Sequence, residues 1–290
     1  METFVNFFEN IPTVYRTAIL VSGLFIFWMM EGIIPLSKIS YKRYKHAALN
    51  IFFMLTTVIV NLGFAFFLVR TSEYVAENQV GFLYVVVLPL WLKIIIGLLL
   101  MDLISAYLIH WILHKVKWMW KFHIIHHTDT KVDVTTSLRA HPGESVFRFV
   151  FTIIAVMVSG APIGIVMIYQ SMSAMLSQFN HANISLPAKL DMLLSYILVS
   201  PNMHKVHHHF KQPLTDTNYG NIFSVWDRLF NTFASVDNPE QELVYGLDTH
   251  MESREHENIA ILLAIPFKKY RPPLNAKFGS EKNSAGKNLS

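Results

Sequence analysis

Long apolar runs dominate the first 180 positions of the chain. A bilayer core takes about 20 apolar residues in a helix, and the runs at 17–34, 47–69 and 88–109 each meet that length. A fourth apolar region, 145–179, is interrupted at Gly160-Ala161-Pro162. Because proline breaks a helix, we predict a helical hairpin there and a short interfacial approach at 80–87, before Pro89. The polar tail 268–290 has no periodicity, and we expect it to be disordered.

Basic residues set the expected orientation of these helices. The connection between the first two runs carries Lys38, Lys42, Arg43 and Lys45 and no acid, so the positive-inside rule puts it in the cytoplasm and the N-terminus outside. The third helix then ends on the cytoplasmic side. We therefore predict an all-α integral membrane protein with about three transmembrane helices, a helical hairpin and a cytoplasmic helical cap. The predicted domains are an N-terminal transmembrane anchor at 1–98, a catalytic domain at 99–235 and a C-terminal cytoplasmic segment at 236–290.

The composition supports this class and narrows the chemistry. Hydrophobic residues make up 52% of the chain and charged residues only 15%, against roughly 25% charged residues in soluble domains. The net charge of +4 comes from basic residues beside apolar runs, so we expect membrane-flanking charge and no nucleic-acid partner. The absence of cysteine excludes disulfides, thiolate metal sites and cysteine nucleophiles.

Eleven of the 14 histidines lie between positions 110 and 209. Nine of them form an H-x-x-x-H pair, two H-x-x-H-H triads and a single histidine after the hairpin, and residues three and four apart share one helix face. Nine imidazoles exceed what one ion with an open position can use, so we predict two metal ions. The nine candidate ligands are His110, His114, His123, His126, His127, His181, His204, His207 and His208.

Three further residues are expected to support these ligands. Asp102 lies two turns before His110, and an acid inside an apolar span is costly and usually functional; we expect it to orient an imidazole rather than bind metal. Tyr107, one turn before His110, is either a similar orienting residue or an ordinary interfacial tyrosine. His141, in Arg139-Ala140-His141-Pro142, is favoured as a supporting residue over a ligand. The histidines expected outside the metal site are His46, His209, His250 and His256.

With these motifs the chain resembles the sterol desaturase and fatty acid hydroxylase superfamily of integral membrane oxygenases. The shared pattern runs from about 99 to 233 and includes the histidine motifs, Arg139-x-His141-Pro142, Asn218-Tyr219-Gly220 and the segment 225–230, Val-Trp-Asp-Arg-Leu-Phe. Trp111 and Asn231 depart from it, since the family usually has Arg and Gly there. The pattern is most similar to small prokaryotic members and to the alkylglycerol monooxygenase branch.

The resemblance implies a non-haem di-iron centre that activates O2 and attacks a C–H bond of a membrane lipid, by hydroxylation or desaturation. Imidazole ligands alone suit iron, zinc or copper, so ligand chemistry does not choose iron and zinc is possible in the purified protein. We find no flavin or cytochrome domain and expect a separate electron donor of the cytochrome b5, ferredoxin or reductase type.

Two other classes use the same residues. A di-zinc lipid hydrolase or lyase would activate water at the same ligands without O2, and a membrane metal-handling protein would only bind ions. The C-terminus carries no endoplasmic reticulum retrieval signal, which favours a prokaryotic cytoplasmic membrane, with the histidines on its cytoplasmic face.

Overall fold

The computed structural model describes residues 1–273, and these residues are helical with no β-strand among them. Four helical stretches are long and apolar enough to cross a membrane, and they are Thr13–Ile33, Arg43–Val85, Leu90–Lys115 and Pro142–Ser159. The predicted all-α membrane architecture is therefore confirmed. Most of the predicted disordered tail, from position 274, lies outside the described residues.

The first 115 residues form six helices, which include the first three candidate spans. They are α1 (Glu2–Glu9), α2 (Thr13–Ile33), α3 (Arg43–Asn78), the short α4 (Phe82–Val85), α5 (Leu90–Asp102) and α6 (Ile109–Lys115). A π-helical segment, Leu103–Leu108, joins α5 to α6 without a break, and such segments often occur at functional sites. Helix α3 extends beyond the predicted run 47–69 at both ends, because polar turns can continue a helix whose middle is apolar.

The predicted hairpin is present as α8 (Pro142–Ser159) and α9 (Ile163–His181). Gly160 ends α8 at φ +75°, where a side chain would be strained, and Pro162 begins the next helix. A Cβ added at Gly81, the residue before α4, would lie 2.3 Å from the backbone nitrogen of Gly160. The hairpin turn thus packs against the break before the third span, at the end of the bundle away from the histidines.

Shorter helices form the cap at the other end of the bundle. They are α7 (Lys117–His127), α10 (Ala188–Leu194), α11 (Pro201–His207), α12 (Val225–Leu229), α13 (Pro239–Glu242), α14 (Ser253–His256) and α15 (Ile259–Ala264), with 3-10 turns at Val134–Leu138, Leu214–Asp216 and Ile265–Phe267. The largest apolar core joins the two parts, because it includes Ile222 of the cap together with Leu98 and Met101 of α5.

A buried carboxylate ties the first span to the cap. Glu31 of α2 is fully buried, forms an ion pair with Arg43, and accepts the backbone N–H groups of Val134 at 2.7 Å and Asn183 at 2.8 Å. Charged hydrogen bonds of this kind are among the stronger ones. The acid near the end of the first apolar run therefore holds in place the loops on either side of the histidine site.

Candidate metal centre

The structure brings all nine candidate histidines together in two adjacent groups. In each group one ring nitrogen per residue lies within 4.8 Å of the others. The five-histidine group is His110, His114, His123, His127 and His207. The four-histidine group is His126, His181, His204 and His208. The arrangement matches the expected number of two ion sites.

Both H-x-x-H-H triads contribute to both groups. In α7, His123 and His127 are one turn apart and face the five-histidine group, whereas His126 faces the four-histidine group. In α11 the division is reversed, because His204 and His208 face the four-histidine group and His207 the other. Helical spacing explains this, since positions i and i+4 point the same way and i+3 is rotated from them. The two triads therefore link the groups.

All nine imidazoles are buried, with 9% exposure at most. Burial, followed by the other imidazoles nearby, holds the pKa of the α7 and α11 histidines His126, His127 and His204 well below the ordinary value. Burial and neighbouring imidazoles also depress the pKa of His207 and His208. Since desolvation disfavours the charged form, these rings are neutral near pH 7 and each has one nitrogen lone pair to offer a cation.

Backbone carbonyls fix the orientation of four of the rings through Nδ1. A carbonyl oxygen only accepts, so Nδ1 carries the proton and Nε2 carries the lone pair. The carbonyl partners are Tyr219 for His110 at 2.8 Å, Arg139 for His126 at 3.2 Å, Ser177 for His181 at 2.7 Å and Thr217 for His207 at 2.7 Å.

Carboxylates do the same for two rings of the five-histidine group. Nδ1 of His123 lies 3.0 Å from an oxygen of Glu144, and Nδ1 of His114 lies 3.3 Å from Asp216. Both acids also pair with a cation, Arg148 and Lys115 respectively. A carboxylate behind an imidazole raises its basicity as a ligand. Sequence reasoning missed both acids and all four carbonyl partners.

Several Nε2 atoms of the nine rings lie opposite one another. Nε2 of His110 and His123 are 3.0 Å apart, and Nε2 of His181 lies 3.1 Å from Nε2 of both His126 and His204. Where Nδ1 holds the proton, such pairs bring two lone pairs together. The buried Nε2 atoms without any partner among the described residues are those of His114, His127, His207 and His208. Buried polar atoms are rarely left unsatisfied, so the residues present fit two metal ions.

Asp102 supports the site by another route than the one expected. It lies eight residues from His110, about 12 Å along the helix axis, which is too far to touch that ring. Its carboxylate instead accepts the N–H groups of Ile222 at 3.2 Å, Phe223 at 3.1 Å and the Trp226 side chain at 3.0 Å. The expectation that Asp102 orients an imidazole directly is therefore wrong; it anchors the loop whose Tyr219 carbonyl orients His110.

Tyr107 and His141 also contact neighbours other than the nine histidines. The Tyr107 hydroxyl lies 2.9 Å from the Thr232 hydroxyl, and its ring stacks on Phe230. His141 caps α8, since its Nδ1 accepts the backbone N–H of Gly143 at 2.9 Å. Neither side chain has a hydrogen bond to a candidate ligand among residues 1–273. Of the two alternatives for Tyr107, the orienting role thus has no direct contact behind it, and His141 caps a helix instead of supporting a ligand.

The four histidines expected outside the site do lie outside both groups. His46 is nevertheless an organised residue, because its ring bridges Asp129 at 2.9 Å and Asp133 at 3.1 Å. His209 pairs with the backbone of Val244, and His250 lies beside the Thr249 hydroxyl. His256 contributes its backbone carbonyl, which accepts from Arg139 at 2.7 Å.

Comparison with known proteins agrees with these motifs. The family model of fatty acid hydroxylases matches residues 94–232, a range that contains all nine histidines of the two groups. Residues 94–232 of this chain are therefore similar to fatty acid hydroxylases. The resemblance to that superfamily is thereby confirmed. No solved structure matches the chain.

Two kinds of lipid-modifying enzyme are among its relatives. The chain is 24% identical over 180 residues to the ornithine lipid hydroxylase of Rhizobium tropici, covering 62% of this chain and 51% of that protein. It is 31% identical over 147 residues to the alkylglycerol monooxygenase of Xenopus tropicalis and 29% identical over 153 residues to that of Homo sapiens, each covering 50% of this chain and 30% of the relative. The alignments thus span about half of the first relative and under a third of the others.

Proposed function

We propose that this protein is a membrane-bound non-haem di-iron oxygenase that hydroxylates or desaturates a C–H bond of a lipid, using O2 and electrons from a separate donor. The observation that carries the proposal is the pair of buried, all-imidazole groups whose Nε2 lone pairs converge. A cluster of neutral rings that face each other through lone pairs is unfavourable without cations. The fatty acid hydroxylase family supports iron and oxygen chemistry at those cations.

The five-histidine and four-histidine groups would each hold one iron ion. When bound, the two irons supply the activation of O2 and the oxidant that removes hydrogen from an unactivated carbon. Imidazole nitrogen also suits zinc, so the choice of iron rests on the family.

The chain itself holds this chemistry in place. The carbonyls of Tyr219, Arg139, Ser177 and Thr217 fix four ring orientations and the protons on Nδ1. Burial of all nine rings keeps bulk water from the reacting atoms, which strengthens electrostatic interactions and prevents side reactions. The negative charges of Glu144 and Asp216 favour cation binding in the five-histidine group. In the four-histidine group, the described Nδ1 partners are backbone carbonyls, which carry no net charge.

The substrate class follows from the setting and from the relatives. The long helices expose large apolar side chains such as Ile59, Leu62 and Phe66, at 65% to 71% exposure, as expected of helices in contact with lipid. Two relatives are named for ornithine lipid and alkylglycerol. We therefore propose a lipid with a polar head and a long alkyl or acyl chain as substrate. The donor is a cytochrome b5-, ferredoxin- or reductase-type protein that docks at the cytoplasmic face.

The function is tested by anaerobic purification, metal analysis and reconstitution. Chelation should remove the metal and the activity, and Fe²⁺ should restore both in the presence of reductant and O2. Zn²⁺ should occupy the site without restoring activity. Products formed from membrane lipid should contain oxygen from isotopically labelled O2 when the outcome is hydroxylation. Product formation by the zinc-loaded protein under anaerobic conditions would instead favour the hydrolase or lyase, and metal binding without any lipid product would favour metal handling.

A further inference from the structure

The cap has an apolar surface that residues 1–273 leave uncovered. Eight large apolar side chains of α10, α12 and the residues that follow each helix are between 41% and 68% exposed. They are Leu190, Met192, Leu193, Tyr196, Ile197, Val225, Leu229 and Phe230, and we call them the cap face. A contiguous exposed apolar patch on a folded protein usually marks an interaction site.

The two segments of the cap face form one continuous surface. The backbone N–H of Ser224 donates to the carbonyl of Ile197 at 3.1 Å, just before α12 and just after α10. Arg228 donates to the carbonyl of Ser195 at 2.9 Å, and its guanidinium lies 4.9 Å from the ring centre of Tyr196. The polar groups of both segments thus pair with each other and leave the apolar side chains outward.

The position of this surface along the third span indicates its depth. Asp102 holds the residues just before α12, and Phe230 stacks on Tyr107 with ring centres 5.3 Å apart. At about 1.5 Å per residue, Asp102 and Tyr107 lie about 18 Å and about 25 Å from Leu90 along the helix. Both distances fall within the roughly 30 Å of hydrocarbon that this span crosses.

The first span gives a second anchor at similar depth. Ser185, three residues before α10, donates its backbone N–H to the carbonyl of Ile34, just past the end of α2, at 2.8 Å. Ile33, the last residue of that span, is 74% exposed. The cap face therefore continues the lipid-facing surface of two spans rather than standing apart from it.

We propose that the cap face lies in the bilayer interface, with its apolar side chains immersed in lipid. Interfacial helices of this kind bury an apolar side about 5–10 Å deep and keep their polar side inward or in water. Helix α10 fits, because its Asp191 is buried and accepts from the Ser200 hydroxyl at 2.9 Å.

This proposal also bears on the proposed substrate, and that part rests on the proposed function. Phe230 of the cap face contacts Tyr107, Tyr107 contacts Tyr219, and Tyr219 contacts His110, each through ring centres 5.3–6.2 Å apart. Lipid at the cap face is then three aromatic rings from the five-histidine group.

The chain has no cysteine, so single spin labels can be placed without removing native residues. The test variants are Leu193→Cys, Ile197→Cys and Leu229→Cys in liposomes, with collision rates measured against O2, which partitions into lipid, and against a water-soluble nickel chelate. Ile59→Cys, 68% exposed on α3, is the lipid reference, and Val244→Cys, 46% exposed in the C-terminal segment beside Glu242, is the water reference.

The expected result is that all three labels resemble Ile59→Cys, with the ratio of O2 to nickel collisions several-fold above that of Val244→Cys. A ratio like that of Val244→Cys would show that the cap face meets water and would overturn the proposal. Labels shielded from both reagents would show that a second copy or another protein covers it, which also overturns it. None of these outcomes depends on enzymatic activity, so failure here and failure of the proposed function are distinguishable.

Discussion

Two clusters of buried polar groups use histidine in opposite ways. In the two histidine groups, Nε2 atoms meet each other or have no partner among the described residues. Around His46, by contrast, both ring nitrogens contact carboxylates. The Tyr41 hydroxyl donates to one of these acids, Asp133, at 2.5 Å, and the Thr136 hydroxyl donates to the other, Asp129, at 2.8 Å. The comparison indicates that unpaired ring nitrogens, rather than burial alone, distinguish the candidate metal site from a structural hydrogen-bond network.

The largest expected effect comes from removing one ring of each group. His126→Ala and His207→Ala should each abolish activity and lower bound metal, because each deletes a nitrogen that faces the proposed ion. Metal per folded protein and lipid turnover are the measurements. His256→Ala is the control, since that histidine lies outside both groups and the variant keeps the backbone carbonyl that accepts from Arg139, and it should change neither quantity. Full activity in either test variant would remove that residue from the ligand set.

A smaller effect is expected from the acids behind the rings. Glu144→Gln and Asp216→Asn keep the size of each side chain but remove the charge beside His123 and His114. Changes of this kind lower metal affinity by about 10- to 100-fold, which a titration with a competing chelator measures. Glu73→Gln, at an exposed acid on α3, is the control. An unchanged metal affinity in both variants would show that the charges of these carboxylates do not contribute to metal binding.

The His46 network should respond in stability rather than in metal. His46→Ala leaves Asp129 and Asp133 without their shared partner, and breaking a buried ion pair from one side costs about 3 kcal/mol. Thermal unfolding should therefore shift downward while metal per folded protein stays the same. Lys45, the residue before His46, forms an exposed ion pair with Glu257. Lys45→Ala breaks that pair and should lower the folding stability by less than about 1 kcal/mol. Loss of metal in folded His46→Ala protein would contradict the division drawn between the two clusters.

The sequence was sufficient to predict what depends on periodicity. The apolar runs predicted the long helices, and Gly160-Ala161-Pro162 predicted the hairpin turn, because length and helix breaking are local properties. Helical spacing singled out eight of the nine histidines that come together, and His181 was added from its place after the hairpin. The membership of the five-histidine and four-histidine groups depends on how α7 and α11 face each other.

What the sequence could not show are contacts made across long separations. The carbonyls of Thr217 and Ser177 have no side-chain signal at all, since every residue has a carbonyl. Asp216 is the last residue of a short 3-10 turn, which has no apolar periodicity. Glu144 lies three residues after His141. The sequence motif points to the histidine, but it is the acid that contacts His123. Asp102 stood out as an acid in an apolar span, but its partners lie in a segment about 120 residues later.

The smallest expected effect concerns Tyr107 and bears on how far the supporting layer of the metal site extends. Tyr107→Phe removes the hydrogen bond to Thr232 but keeps the ring stacked on Phe230, so the loss is that of one hydrogen bond, about 1 kcal/mol of folding stability. Metal affinity should stay within the error of the titration, and Tyr74→Phe, at an exposed tyrosine of α3, should change nothing. A loss of metal affinity as large as that of Glu144→Gln would contradict this. It would mean that Tyr107 affects the orientation of His110 through the ring of Tyr219. The residues that support the metal site would then include some that do not contact an imidazole.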